Sequence, residues 1–125
     1  MIRILLVEDH EDIRQEIKSL INGQEDLTVV AEAGSGREAI IAADRIVPDV
    51  VVMDIALPRI NGVEAMKAIL AKHPEVNVLA LSNFSGLSLI QSVRDAGGLG
   101  YVRKDRAFEE LIPAIRKVAA GHLSF

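Results

Sequence analysis

Asp49-Val50-Val51-Val52-Met53-Asp54 sets four consecutive apolar residues between two carboxylates. The run is too short for a helix, and a strand with one wet face would alternate, so it predicts a strand covered on both faces. Asp49 to Met53 is matched by Ile2 to Val7, and by Leu27 to Ala31 and Val76 to Leu81 once their polar interruptions are allowed for. Leu99 to Arg103 is a shorter fifth candidate. Between these runs apolar residues recur at helical spacing: Ile13, Ile17, Leu20 and Ile21, then Ala39, Ile40, Ala43 and Val47, then Val63, Met66, Ile69 and Leu70. Leu87, Ile90 and Val93 predict a fourth helix, and Phe108, Leu111, Ile112, Ile115, Val118 and Ala119 a fifth. Strict alternation of strands and helices is the pattern of βαβ units around a mainly parallel sheet, here a three-layer (βα)5 α/β sandwich.

Local signals support the boundaries. Ser35 and Gly36 can open the second helix and Pro48 can close it, while Pro74 follows the third after Lys72 and His73 in its last turn. Gly34-Ser35-Gly36 lacks the full fingerprint of a phosphate loop and reads as a turn. Pro113 predicts a kink or a late start in the last helix, with Phe108 to Leu111 forming a short separate turn.

At 125 residues the chain has room for one domain, residues 1–125. The absence of cysteine excludes a disulfide framework, a thiolate metal site and thiol catalysis. A net charge of -4 argues against a broad phosphate-binding surface, and one tyrosine with no tryptophan offers no stacking platform for single strands. No apolar run approaches the roughly 20 residues of a membrane span, and Met1-Ile2-Arg3 enters a short apolar segment without the parts of a secretion signal, so a cytoplasmic protein is expected.

The chemistry gathers where the strands stop. The first run ends in Glu8-Asp9 and the third in Met53-Asp54, and open α/β sheets place ligands beyond the carboxyl ends of their strands. If the first and third strands are neighbours at the reversal of strand order, Glu8, Asp9 and Asp54 share one crevice and require a cation. Oxygen-only ligation suits magnesium. The plainer alternative is that these carboxylates cap helices and keep strand ends soluble. Ser82 and Lys104 also follow strand ends and can supply a hydroxyl and a fixed cation to a phosphoryl group. His10, His73 and His122 form no metal set by spacing, and His10 reads as a helix-entry residue.

Leu5-Leu6-Val7-Glu8-Asp9-His10, Val50 to Asp54 followed by Pro58 and Gly62, Leu81-Ser82, and Gly100-Tyr101-Val102-Arg103-Lys104 together resemble the receiver domain of a two-component response regulator over essentially the whole chain. The resemblance implies a flavodoxin-like, CheY-like sheet in the order 2-1-3-4-5. It implies that Asp54 accepts a phosphoryl group from a histidine kinase or phosphotransfer protein. Asp9, Asp54 and the Ala56 carbonyl would hold Mg2+, with Glu8 acting through water. Ser82 and Lys104 would contact the phosphoryl oxygens, and Tyr101 would change position together with Ser82. Such a domain is a signalling switch that catalyses its own phosphorylation, rather than an enzyme acting on a released product.

Gly100 to Asp105, His10 and the closing Ala119 to Ser124 resemble the receivers that precede a LuxR/NarL-type helix-turn-helix domain. The resemblance implies a DNA-binding output in the parent protein, with pairing of receivers through helices; the chain stops where the linker would begin. Ala56, Asn83 and Phe84 depart from the commonest receiver pattern and are candidate modulators of phosphoryl lifetime. Asp105 replaces the proline that follows the lysine in many receivers. A phosphorylation-independent interaction module is the alternative, and a metal-assisted phosphohydrolase is disfavoured by the lack of a substrate cap or a distinct general acid.

Overall fold

The computed structural model describes residues 1–57, 61–83 and 86–125. The elements are β1 (Ile2–Val7), α1 (Glu11–Asn22), β2 (Leu27–Ala33), α2 (Gly36–Ile46), β3 (Val50–Asp54), α3 (Gly62–Lys72), β4 (Asn77–Ser82), α4 (Leu87–Asp95), β5 (Gly100–Arg103) and α5 (Ala107–Ala119), with a 3-10 turn at Lys104–Arg106. The strands form one parallel sheet in the order β2-β1-β3-β4-β5.

The continuous apolar runs have a direct cause. Ile4, Leu6, Val50, Val52, Leu79 and Leu81 pack on one face of the sheet against Ile17 and Ile21 of α1 and Leu111 and Ile115 of α5. Leu5, Val7, Val51, Met53, Val78 and Ala80 pack on the other, against Ala39, Met66, Ile69 and Val93 of α2, α3 and α4. Every position of a central strand therefore meets a helix, so neither alternate set is polar.

Register brings the strand ends level. Val7 pairs with Met53, Asp54 with Leu81, and Ser82 with Arg103. Glu8, Asp54, Ser82 and Lys104 consequently emerge at one edge. The reversal of strand order lies at β1, which has β2 on one side and β3 on the other.

Three details differ from the expectation. Val47 is not on the apolar face of α2 but ends it as a left-handed cap at φ 41°, its N–H donating to the Ala43 carbonyl at 3.0 Å. Pro48 disfavours another right-handed turn there, and the cap satisfies a carbonyl that would otherwise be orphaned. α5 begins at Ala107 and runs through Pro113 without a separate turn. Pro113 lies on the exposed face, where water can serve the Glu109 carbonyl left without a helical donor. Phe108 and Leu87, both assigned to apolar faces, are 71% and 86% exposed. The buried stripe of α5 runs through Ala107, Leu111, Ala114, Ile115 and Val118, and Phe108 falls beside it.

Candidate functional site

Asp54 is the last residue of β3 and is 1% exposed. Its Oδ1 accepts from the Ala56 N–H at 2.9 Å, and its Oδ2 accepts from Lys104 Nζ at 2.8 Å. Gly62 presses the following chain against this strand end: a Cβ there would stand 2.3 Å from Ile55 Cα and 2.5 Å from the Asp54 carbonyl oxygen. The Gly62 N–H donates to the Ile55 carbonyl at 3.1 Å. Any larger residue would move the backbone that carries Asp54.

Glu8 is fully buried. Lys104 Nζ donates to its Oε1 and the His10 N–H to its Oε2 at 3.0 Å, while Arg14 Nη1 holds its main-chain carbonyl at 2.9 Å. One ammonium thus bridges carboxylates from β1 and β3. Burial by itself would lower the Lys104 pKa, but its hydrogen bonds to Asp54 and Glu8 outweigh that and raise it, so the charge is retained.

Asp9 lies outside this clamp. Its Oδ1 is buried without a hydrogen bond, and ligand atoms of Glu8, Asp9 and His10 lie within 4.8 Å of one another. Burial pushes Asp9 up, yet its contact with Glu8 and the charges of His10 and Lys104 hold it below the usual carboxylate value. Glu8 and Asp54 share the one ammonium of Lys104 while Asp9 stands beside them without it, an imbalance that a hard divalent cation with oxygen ligands would relieve. The residues present fit such an ion, and Asp9 Oδ1 offers it a free lone pair.

Ser82 ends β4 at 1% exposure and pairs in register with Arg103, the residue before Lys104. Tyr101 is half-buried one strand away. Burial raises its phenol pKa and the neighbouring Ser82 opposes that rise, although the hydroxyl makes no hydrogen bond of good geometry. Asn83 is exposed beside Ser82, and Ala56 is exposed at the lip. Phe84 and Pro58 lie outside the described residues.

The edge therefore gathers Glu8, Asp9, Asp54, Ser82 and Lys104 from four different strand ends. Sequence reasoning did not anticipate the Ala56 N–H on Asp54 or the Arg14 guanidinium on the Glu8 carbonyl, because main-chain partners leave no residue-type signal. Nor did it count His10 near the carboxylates as a ligand: Nδ1 is 3.3 Å from both Glu8 Oε2 and Asp9 Oδ1.

Comparison with known proteins bears on the family and the fold. Residues 4–116 match the response regulator receiver domain family. The uncharacterized transcriptional regulatory protein YxjL of Bacillus subtilis (strain 168) is 39% identical over 124 residues, 99% of this chain and 57% of that protein. Response regulator GacA of Pseudomonas viridiflava is 37% identical over 97% of this chain and 55% of its own length. The chain thus spans a little over half the length of these curated relatives. A LuxR-family two-component response regulator from Aurantimonas sp. SI85-9A1 superposes with a TM-score of 0.96 at 34% identity, covering 100% of this chain and 89% of that one. The response regulator domain of Thermotoga maritima CheB gives 0.88 at 30% identity, over 96% and 97% of the two chains.

Proposed function

The chain belongs to the response regulator receiver family of two-component signalling, and on that ground we propose that Asp54 is its phosphoacceptor. The observation that carries the assignment is the setting of that one carboxylate: buried at a strand end, oriented by the Ala56 N–H, and 2.8 Å from a lysine held in the charged state. An oxygen of Asp54 attacks phosphorus while the bond from phosphorus to the donor breaks, the donor atom leaving with the electron pair. A histidine kinase or a phosphotransfer protein is the donor class.

Lys104 is positioned to meet the negative charge carried by the transferred oxygens, and Ser82 to donate its hydroxyl to one of them. Asp9 and Asp54, with Glu8 through water and the Ala56 carbonyl, would hold Mg2+. The ion would neutralise charge on the phosphoryl oxygens. Phosphorylation adds negative charge and strong acceptor atoms, which draw Ser82 and Lys104 inward and change the packing of Tyr101. Ala56 and Asn83 flank the entrance and would tune the lifetime of the acyl phosphate. Receivers are signalling switches; here the switch would act on a LuxR/NarL-type DNA-binding domain in the parent protein, in the cytoplasm.

The test is incubation with acetyl phosphate and magnesium followed by peptide mass mapping. A gain of one phosphoryl group on the peptide that contains Asp54, absent in Asp54→Asn, is the expected result. Phosphate found elsewhere, or retained in Asp54→Asn, would remove the assignment.

A further inference from the structure

α5 closes with a Schellman turn. Gly121 takes φ 82°, its N–H donates to the Val118 carbonyl at 2.9 Å, and the His122 N–H donates to the Lys117 carbonyl at 2.9 Å. The turn reverses the chain and lays residues 122–125 along the outer edge of β5. There the Ser124 N–H donates to the Leu99 carbonyl at 2.8 Å, and the Ser124 carbonyl accepts from the Tyr101 N–H at 3.1 Å, in a parallel bridge to Gly100. Arg94 of α4 stacks over the Phe125 ring at 4.1 Å from its centroid. The segment thus ties α4, β5 and α5 together, over a cavity of about 240 Å³ lined by Tyr101, Glu109, Pro113, Lys117, Ser124 and Phe125.

Tyr101 faces both ways. Its backbone N–H holds the segment, and its side chain stands beside Ser82 at the phosphoryl site. Its hydroxyl has no well-formed hydrogen bond to keep the ring where it is, and the adjoining cavity leaves space for the ring to move. Beyond the two hydrogen bonds of the turn itself, the described contacts that hold the segment to the sheet edge and α4 are two backbone hydrogen bonds and one ring contact, with Leu123 exposed. Elements attached this weakly open first and are the ones that switching can draw on.

We propose that residues 121–125 are a displaceable strap, seated on the β5 edge while Asp54 is unmodified and released when Asp54 carries a phosphoryl group, with Tyr101 as the coupling residue. The proposal rests on the reading of Asp54 as phosphoacceptor. Because coupling between two equilibria is reciprocal, weakening the strap must tighten binding of a phosphoryl mimic at Asp54.

Beryllofluoride with magnesium, a non-covalent stand-in for the phosphoryl group, tests this at equilibrium. The chain's single tyrosine and lack of tryptophan make intrinsic fluorescence a direct probe of Tyr101. Saturation is expected to raise amide hydrogen exchange at Ser124 and Tyr101 roughly tenfold or more. Ser124→Pro, which lacks the N–H given to Leu99, should bind beryllofluoride about threefold tighter or more. Phe125→Ala keeps the backbone bonds and should tighten binding by less, and it carries the test if the proline variant is misfolded by circular dichroism. Bound beryllofluoride with unchanged exchange at both amides, or wild-type affinity in the folded variants, overturns the strap while leaving Asp54 as acceptor. No binding to the wild type, or equal binding to Asp54→Asn, overturns both.

Discussion

The two ends of the same sheet solve a similar problem in opposite surroundings. At the amino end, Arg3 of β1 donates its N–H to Asp49 Oδ2 at 2.8 Å and its guanidinium to the Ile46 and Val47 carbonyls, each at 3.0 Å, all in exposed positions. At the carboxyl end, Lys104, itself half-buried, joins the buried carboxylates of Glu8 at the β1 edge and Asp54 of β3. Both arrangements fasten an end of β1 through a cation, the guanidinium to the end of α2 and the ammonium to Asp54 of β3. The exposed one costs little to form and stabilises little, since water screens it. The buried one must repay the desolvation of every charge it contains. A lysine held between two buried carboxylates is a poor device for stability and a good one for chemistry, because the groups are already stripped of water and oriented.

The contrast makes quantitative demands. Lys104→Met should have the largest effect: about 3 kcal/mol lost in urea unfolding at neutral pH, because Glu8 and Asp54 are left buried without their counter-charge. Asp54→Asn in the same background should recover much of that loss, and simple addition of the two single effects would show that the residues are not coupled as the distances imply. Glu32 offers an intermediate case. Lys18, aided by Arg14, holds its carboxyl below the ordinary value of 4.5 although burial works against it. A depressed carboxylate stabilises the fold above its unfolded pKa and loses that contribution as pH falls through the folded one. Wild type should therefore lose more stability than Glu32→Gln as pH is lowered from about 5, measured by thermal unfolding; parallel curves would refute the assignment. The smallest effect belongs to Arg3→Ala: about 1 kcal/mol or less, and less still at high salt. A larger loss would mean that Arg3 supports the left-handed Val47 cap more strongly than a screened surface contact can.

Much of the fold was legible because burial on both faces leaves its mark on composition. Val50, Val51 and Val52 can be consecutive only where helices cover both sides, and all three are fully buried. The site was legible for a related reason. Glu8, Asp54 and Ser82 interrupt apolar runs at their carboxyl ends, and burying a polar group there is too costly unless a partner waits. Helix boundaries near Pro48 and Pro113 were less readable, since proline states what it forbids locally but not which face of the helix meets solvent. Phe108 looked like core by residue type, and only the direction of the α5 stripe puts it outside.

The sequence by itself determined the alternation of strands and helices, the parallel sheet it implies, and the residue types at the strand ends, because these follow from local periodicity and the cost of burying polar atoms. Only the tertiary structure decided that Lys104 reaches both Glu8 and Asp54, that Ala56 supplies an N–H to Asp54, and that residues 121–125 return to the edge of β5. Those contacts join residues as far as ninety-six positions apart or employ main-chain atoms. Their partners are set by register and chain reversal, which no single residue type encodes.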